Sequence, residues 1–148
     1  MKLVILDRDG VINVDSDQYI KSPSEWRPLP GSIEAIARLY QSGYRVAVAT
    51  NQSGIGRGLF DMATLNAIND KMMEMVFRQG GRIDALFFCP HTAAENCNCR
   101  KPRTGMLEEI AARFHADLKG VPAIGDSLRD LQAAESVGAQ PVLVLRSP

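Results

Sequence analysis

Residues 2–10 read Lys2-Leu3-Val4-Ile5-Leu6-Asp7-Arg8-Asp9-Gly10. Four consecutive apolar residues leave no polar face, which is the pattern of a strand buried on both sides of a parallel sheet. The run stops at two carboxylates two positions apart, followed by a glycine. In extended chain such residues lie on one side, so the carboxyl end of this strand offers paired acids to a single crevice.

The pattern continues outward from that strand. Ile33, Ile36, Ala37 and Tyr40 share one helical face after Gly31, in a helix ending near Gly43. Arg45–Ala49 predicts the second strand. Leu65, Ile68, Met72, Met75 and Val76 predict a long helix before Gly80-Gly81, with Met72, Met73 and Met75 read as core. A third strand is expected at Ala85–Phe88, and a helix carrying Leu107, Ile110, Ala111 and Phe114 after it. Val121–Ile124 reads as a strand, Leu128–Val137 as a helix and Pro141–Leu145 as a fifth strand. Strands alternating with helices predict an α/β fold: a three-layer α/β/α sandwich with a mostly parallel, Rossmann-like sheet and right-handed crossovers. Ligands in such sheets sit beyond the carboxyl ends of the strands. The intervals 13–43 and 51–101 hold one helix each plus loops. A single domain over residues 1–148 without a separate cap domain is therefore expected.

The 148 residues carry 17 basic and 17 acidic side chains, a formal net charge of zero. That balance argues against partners held by bulk electrostatics, such as nucleic acid or an anionic membrane. Hydrophobic residues at 45% and charged residues at 23% are ordinary for a globular chain with one core. No apolar run approaches the ~18 residues of a membrane helix, and Leu3–Leu6 is too short for a signal-peptide core. A cytoplasmic monomer acting on a small molecule is expected.

Each remaining strand end carries a group suited to phosphoryl chemistry. The second strand leads into Thr50-Asn51-Gln52-Ser53-Gly54, Lys101 precedes the helix after the third, and Gly125-Asp126-Ser127-Leu128-Arg129-Asp130 follows the fourth. An attacking Asp7 would split one hard displacement into two easier ones through an aspartyl phosphate. Asp9 would give a proton to the leaving alcohol and later take one from water. Carboxylates beside a phosphate dianion need a cation between them, and Asp7 with Asp126 supplies hard oxygen ligands suited to Mg²⁺. The Thr50 hydroxyl, the Asn51 backbone N–H and the Lys101 ammonium suit the phosphoryl oxygens. Gly54-Ile55-Gly56-Arg57-Gly58 matches no nucleotide-binding glycine pattern; it reads as a turn, with Arg57 toward substrate. Trp26 and His115 are assigned no function.

Three cysteines are an odd number for a disulfide framework. They form Cys89-x-His91, five residues, then Cys97-x-Cys99. A Cys₃His set suits a closed tetrahedral Zn²⁺ site with a structural role, against the alternative of three free thiols and an unrelated histidine. Arg100 and Lys101 follow at once, so a pinned loop would hold both cations over the crevice.

On these residues the chain resembles the haloacid-dehalogenase-like phosphohydrolase superfamily. Asp7-Arg8-Asp9-Gly10-Val11 resembles its first motif, Thr50 its second, Lys101 its third, and Gly125-Asp126 with Asp130 its fourth. The runs Asp7–Asp15, Thr50–Gly58, Cys89–Pro102 and Gly125–Ala134 are similar to its sugar-bisphosphate phosphatases. The resemblance implies Asp7 as nucleophile, Asp9 as acid/base, and Mg²⁺ on Asp7, Asp126 and the backbone carbonyl of Asp9. It implies structural Zn²⁺ on Cys89, His91, Cys97 and Cys99. Thr50 and Lys101 would stabilise the phosphoryl group. A small phosphorylated sugar would meet Asp15, Gln18, Tyr19, Thr50, Asn51, Gln52, Ser53, Arg57, Arg100 and Lys101. Where many relatives have lysine after the fourth-motif aspartate, this chain has Ser127. A histidinol-phosphate phosphatase has similar motifs and is the alternative enzyme. A phospho-acceptor signalling domain is the alternative of another class, and it lacks an acid/base two residues after its aspartate.

Overall fold

The computed structural model describes residues 2–145. Five parallel strands form one sheet: β1 (Lys2–Leu6), β2 (Tyr44–Asn51), β3 (Ala85–Cys89), β4 (Pro122–Gly125) and β5 (Gln140–Leu143), in the order β3-β2-β1-β4-β5. Four helices connect them: α1 (Ser32–Gln41), α2 (Met62–Arg78), α3 (Gly105–Phe114) and α4 (Leu128–Ser136). The strand order reverses between β1 and β4, so a crevice opens beyond their carboxyl ends. Asp7 and Asp126 each directly follow the last residue of one of these two strands.

The run Leu3–Leu6 behaves as its composition requires. Leu3 and Ile5 pack with Met106, Leu107 and Ile110 of α3 and with Ala133 and Ala134 of α4. Val4 and Leu6 point the other way, onto Ile33 and Ile36 of α1 and Ile68, Met72 and Val76 of α2. The three-layer sandwich follows directly from this alternation. Each fully buried aliphatic side chain contributes about 1.5–3 kcal/mol, so the strand ends stand on a rigid base. Among the described residues nothing forms a separate cap; residues 7–31 and 52–61 are loops with one short turn of 3₁₀ helix.

Two strands reach further than periodicity predicts. β2 continues through Thr50 and Asn51 because they pair with Phe88 and Cys89 of β3. The predicted phosphoryl-binding threonine and the first predicted zinc ligand are thus both ladder residues. One core reading is corrected: Met72 is fully buried, but Met73 is 37% exposed and Met75 only half-buried. The buried stripe of α2 runs Leu65, Ile68, Met72, Val76, and the next residue turns about 100° away from it. Trp26 is fully buried in the α1/α2 layer, and His115 ends α3 in the left-handed conformation.

Candidate active site

Asp7 leaves β1 with its backbone N–H donating to the Ile124 carbonyl of β4 at 3.0 Å, which locks the two strand ends together. Its Oδ1 accepts the Arg8 backbone N–H at 2.9 Å and lies 3.3 Å from Lys101 Nζ. Lys101 Nζ also donates to Asp130 Oδ1 at 2.9 Å. Ligand oxygens of Asp7, Asp126 and Asp130 lie within 4.8 Å of one another.

Glycines make this density possible. Gly10 sits at φ +88°, and a Cβ there would strike the Asp126 carboxylate; a Cβ at Gly125 would overlap Asp130. The cluster is electrostatically crowded. Burial pushes the Asp7 carboxyl up to about 7, opposed by Lys101 and reinforced by Asp130 and Asp9. Burial works against the Lys101 ammonium, yet Asp7 and Asp130 outweigh it and hold its pKa above the ordinary value. Burial also raises Asp130, but Lys101 and the Ser127 hydrogen bonds bring it below the usual carboxylate range.

The donor set fits a hard divalent cation, and the hydrogen bonds say which carboxylates would hold it. Asp130 is occupied: Oδ1 takes Lys101, and Oδ2 takes the backbone N–H groups of Asp126 and Ser127 at 3.2 Å each and Ser127 Oγ at 2.9 Å. It closes a capping box at the start of α4. Ser127 is spent on that cap. Asp7 and Asp126 complete the group of carboxylates that could hold such a cation.

Asp9 stands on the rim in a fork of donors. Its Oδ1 accepts Arg8 Nε and Asn13 Nδ2, each at 2.9 Å, and its Oδ2 accepts Gln52 Nε2 at 3.1 Å. Arg8 is fully buried, and its Nη1 reaches Asn69 Oδ1 of α2 at 3.1 Å. At the end of β2, Thr50 Oγ1 accepts from Gln52 Nε2 at 3.0 Å. The Asn51 side chain clasps the Lys101 backbone, accepting its N–H at 3.0 Å and donating to its carbonyl at 3.3 Å. Asn51 and Gln52 thus hold the lysine and the rim carboxylate as well as lining the crevice.

Above these groups lies a cavity of about 250 Å³. Of the predicted site residues, Asp7, Asp9, Asp15 and Tyr19 line it, as do Thr50, Asn51, Gln52 and Ser53, and Arg100 with Asp126. Lys101 lies beneath, 6% exposed. Two expected substrate contacts are not brought there: Gln18 is exposed and outside the lining, and Arg57 is exposed on the turn after Gly56. Backbone bonds from Arg57 to Ser53 and from Gly58 to Ile55 fold that turn back on itself. The cavity wall also holds Asp17, within the predicted substrate loop, Asp130 of the fourth motif, and Arg129, to which the sequence reading gave no role. Asp130 was legible as position N3 of a capping box; Arg129 gave no local signal.

The cysteine–histidine loop converges as well. Cys97 Sγ lies 3.4 Å from Cys89 Sγ and 3.6 Å from Cys99 Sγ, and His91 Nδ1 lies 3.5 and 3.3 Å from Cys89 and Cys99. The Cys89 and Cys99 sulfurs touch, as in a disulfide. A disulfide alone would leave Cys97 and His91 no reason to close on the same point, whereas a tetrahedral metal site uses all four.

A family model described as HAD-hydrolase-like matches residues 98–147. The D-glycero-beta-D-manno-heptose-1,7-bisphosphate 7-phosphatase of Bordetella bronchiseptica is 61% identical, over 97% of this chain and 80% of its own. The enzyme of the same name from Pseudomonas aeruginosa is 56% identical, over 96% of this chain and 80% of its own. A crystal structure of the B. bronchiseptica D,D-heptose 1,7-bisphosphate phosphatase, complexed with magnesium and phosphate, superposes with a TM-score of 0.95 at 61% identity, covering 97% of this chain and 80% of that one.

Proposed function

This chain belongs to the haloacid-dehalogenase-like hydrolase family and is a phosphoric monoester hydrolase; from that premise we propose that it removes the C7 phosphate of D-glycero-D-manno-heptose 1,7-bisphosphate. The observation that carries the reading is the joining of Asp7, Asp126 and Lys101 in one buried cluster, with Asp9 on its rim. Relatives of 61% and 56% identity that bear this activity in their names support the substrate.

The proposed reaction has two displacements. An Asp7 carboxylate oxygen attacks phosphorus as the bond to the C7 oxygen breaks, and Asp9 gives that oxygen its proton. Water then attacks the phosphorus of the aspartyl phosphate, Asp9 takes the proton, and phosphate leaves with the Asp7 carboxylate restored. Lys101, held by Asn51 and Asp130, offers its ammonium to the phosphoryl oxygens, and Thr50 its hydroxyl. Asp7, Asp126 and the backbone carbonyl of Asp9 would hold Mg²⁺, which supplies positive charge between the carboxylates and the phosphate. Cys89, His91, Cys97 and Cys99 would hold a structural Zn²⁺ that fixes the segment carrying Arg100 and Lys101. Asp9 favours turnover over a stable phosphorylated switch. Cysteines serving as thiolate zinc ligands would suit a cytoplasmic address. Among the described residues no helix is long and apolar enough to cross a membrane.

Phosphate release is measured from α- and β-heptose 1,7-bisphosphate and from histidinol phosphate, each with Mg²⁺ and with chelator. Mg²⁺-dependent release favouring a heptose anomer is expected. Preference for histidinol phosphate would keep the chemistry and remove the substrate assignment.

A further inference from the structure

The cavity is lined by six carboxylates, Asp7, Asp9, Asp15, Asp17, Asp126 and Asp130, and by two cations, Arg100 and Arg129. Lys101 is committed below to Asp7 and Asp130. A bisphosphate has one phosphate at Asp7 and another at the far end of the sugar. That second dianion must find its own cation among acidic walls, or like charge would reject it.

Arg129 is the cation whose position has no structural explanation. It is exposed and lies in the first turn of α4, and its side chain makes no hydrogen bond or ion pair with another described residue. The first turn is the positive end of the helix, where a basic side chain is disfavoured by the helix dipole. Its neighbour Asp130 is committed to the cap and the lysine and does not pair with the guanidinium. Arg100, by contrast, is tethered: its Nη1 donates to the His91 carbonyl at 3.4 Å, which fixes it to the cysteine–histidine loop. The two arginines come from different elements, one after β3 and one after β4, and both line the same mouth.

We propose that Arg129 is a specificity-determining residue: its guanidinium binds the remote, non-transferred phosphate of the sugar bisphosphate, and so selects bisphosphates over monophosphates. This rests on the sugar-bisphosphate reading above. A guanidinium presents paired N–H groups that match phosphate oxygens in a fork, which an ammonium cannot reproduce. The contact is made away from the reacting bond, so it acts through the energy of binding the distal group.

The test is the ratio of kcat/KM for heptose 1,7-bisphosphate to that for heptose 7-phosphate, both with Mg²⁺, in the wild-type protein, Arg129→Ala and Arg129→Lys. Wild-type is expected to prefer the bisphosphate. Arg129→Ala should reduce that ratio by about tenfold or more, chiefly through KM for the bisphosphate, and Arg129→Lys should restore part of it. A merely structural role would lower both substrates together and leave the ratio where it was. A wild-type preference that survives Arg129→Ala overturns the arginine assignment and leaves the proposed function standing. A wild-type protein with no preference, or with no activity on either compound, overturns the substrate reading and the arginine assignment with it.

Discussion

Asp7, Asp126 and Asp130 come from nearly opposite ends of the chain, whereas Cys89 ends β3 and His91, Cys97 and Cys99 follow in the loop directly after it. Both sets converge within 4.8 Å. The acids are placed by the sheet: adjacent parallel strands β1 and β4, an inter-strand hydrogen bond from Asp7 to Ile124, and glycines at positions 10 and 125 that leave room for carboxylates. The loop has little regular backbone beyond one short 3₁₀ turn and must be closed by its own side chains. The first cluster should therefore tolerate chemical substitution without losing its geometry, and the second should lose its geometry with its chemistry. The two meet at Lys101, whose backbone is clasped by Asn51 of β2 and whose ammonium lies between Asp7 and Asp130.

The largest effect is expected from Asp7→Asn, which keeps the size of the side chain and removes the nucleophile. Phosphate release should fall by about 10⁴-fold or more, with an unchanged far-ultraviolet circular dichroism spectrum. Substantial residual turnover would remove Asp7 from that role. Lys101→Met comes next, with a loss of about 10²–10³ in kcat. Lys101 holds the Asp7 carboxyl down against burial, so its removal raises that pKa. The acid limb of the pH–rate profile should then move to higher pH; an unmoved or lowered limb would contradict the charge balance described above.

Cys97→Ser probes the loop. Metal analysis should find zinc lost, and activity should fall on the order of tenfold, more through KM than kcat, as Arg100 and Lys101 lose their anchorage. Retention of zinc, or a collapse of the whole sheet, would break the contrast between the two clusters. The smallest effect belongs to Arg103→Ala. Arg103 donates to the Cys97 carbonyl at 2.7 Å and to Asn96 Oδ1 at 2.6 Å from an exposed position. Losing such bonds costs about 1 kcal/mol, which is about 2–4 °C in Tm, and zinc should stay. A larger loss than from Cys97→Ser would mean that hydrogen bonds, and not a metal, hold the loop.

The run Leu3–Leu6 was enough to predict β1, because a run this short, stopped by Asp7-Arg8-Asp9-Gly10, suits a strand covered on both faces better than a helix. The spacing of Cys89, His91, Cys97 and Cys99 was legible for a different reason: ligands close in sequence need no knowledge of the fold to be brought together. Asp7, Asp9, Thr50, Lys101 and Asp126 could be named as strand-end groups, since strand–helix alternation sends every strand end to the same side of a parallel sheet. Which partner each side chain takes was decided only by tertiary structure. Asn51 reads as a substrate contact, and only the fold shows that its side chain also clasps the backbone of Lys101, fifty residues away. Arg57 reads as a cation over the site until the turn at Gly54–Gly58 carries it off. Arg129, silent in sequence, reaches the cavity because α4 starts at the end of β4. Hydrophobic pattern and local spacing depend on neighbours along the chain and so are written in it. Charge pairing depends on distances through space, which exist only once the strands have chosen their order.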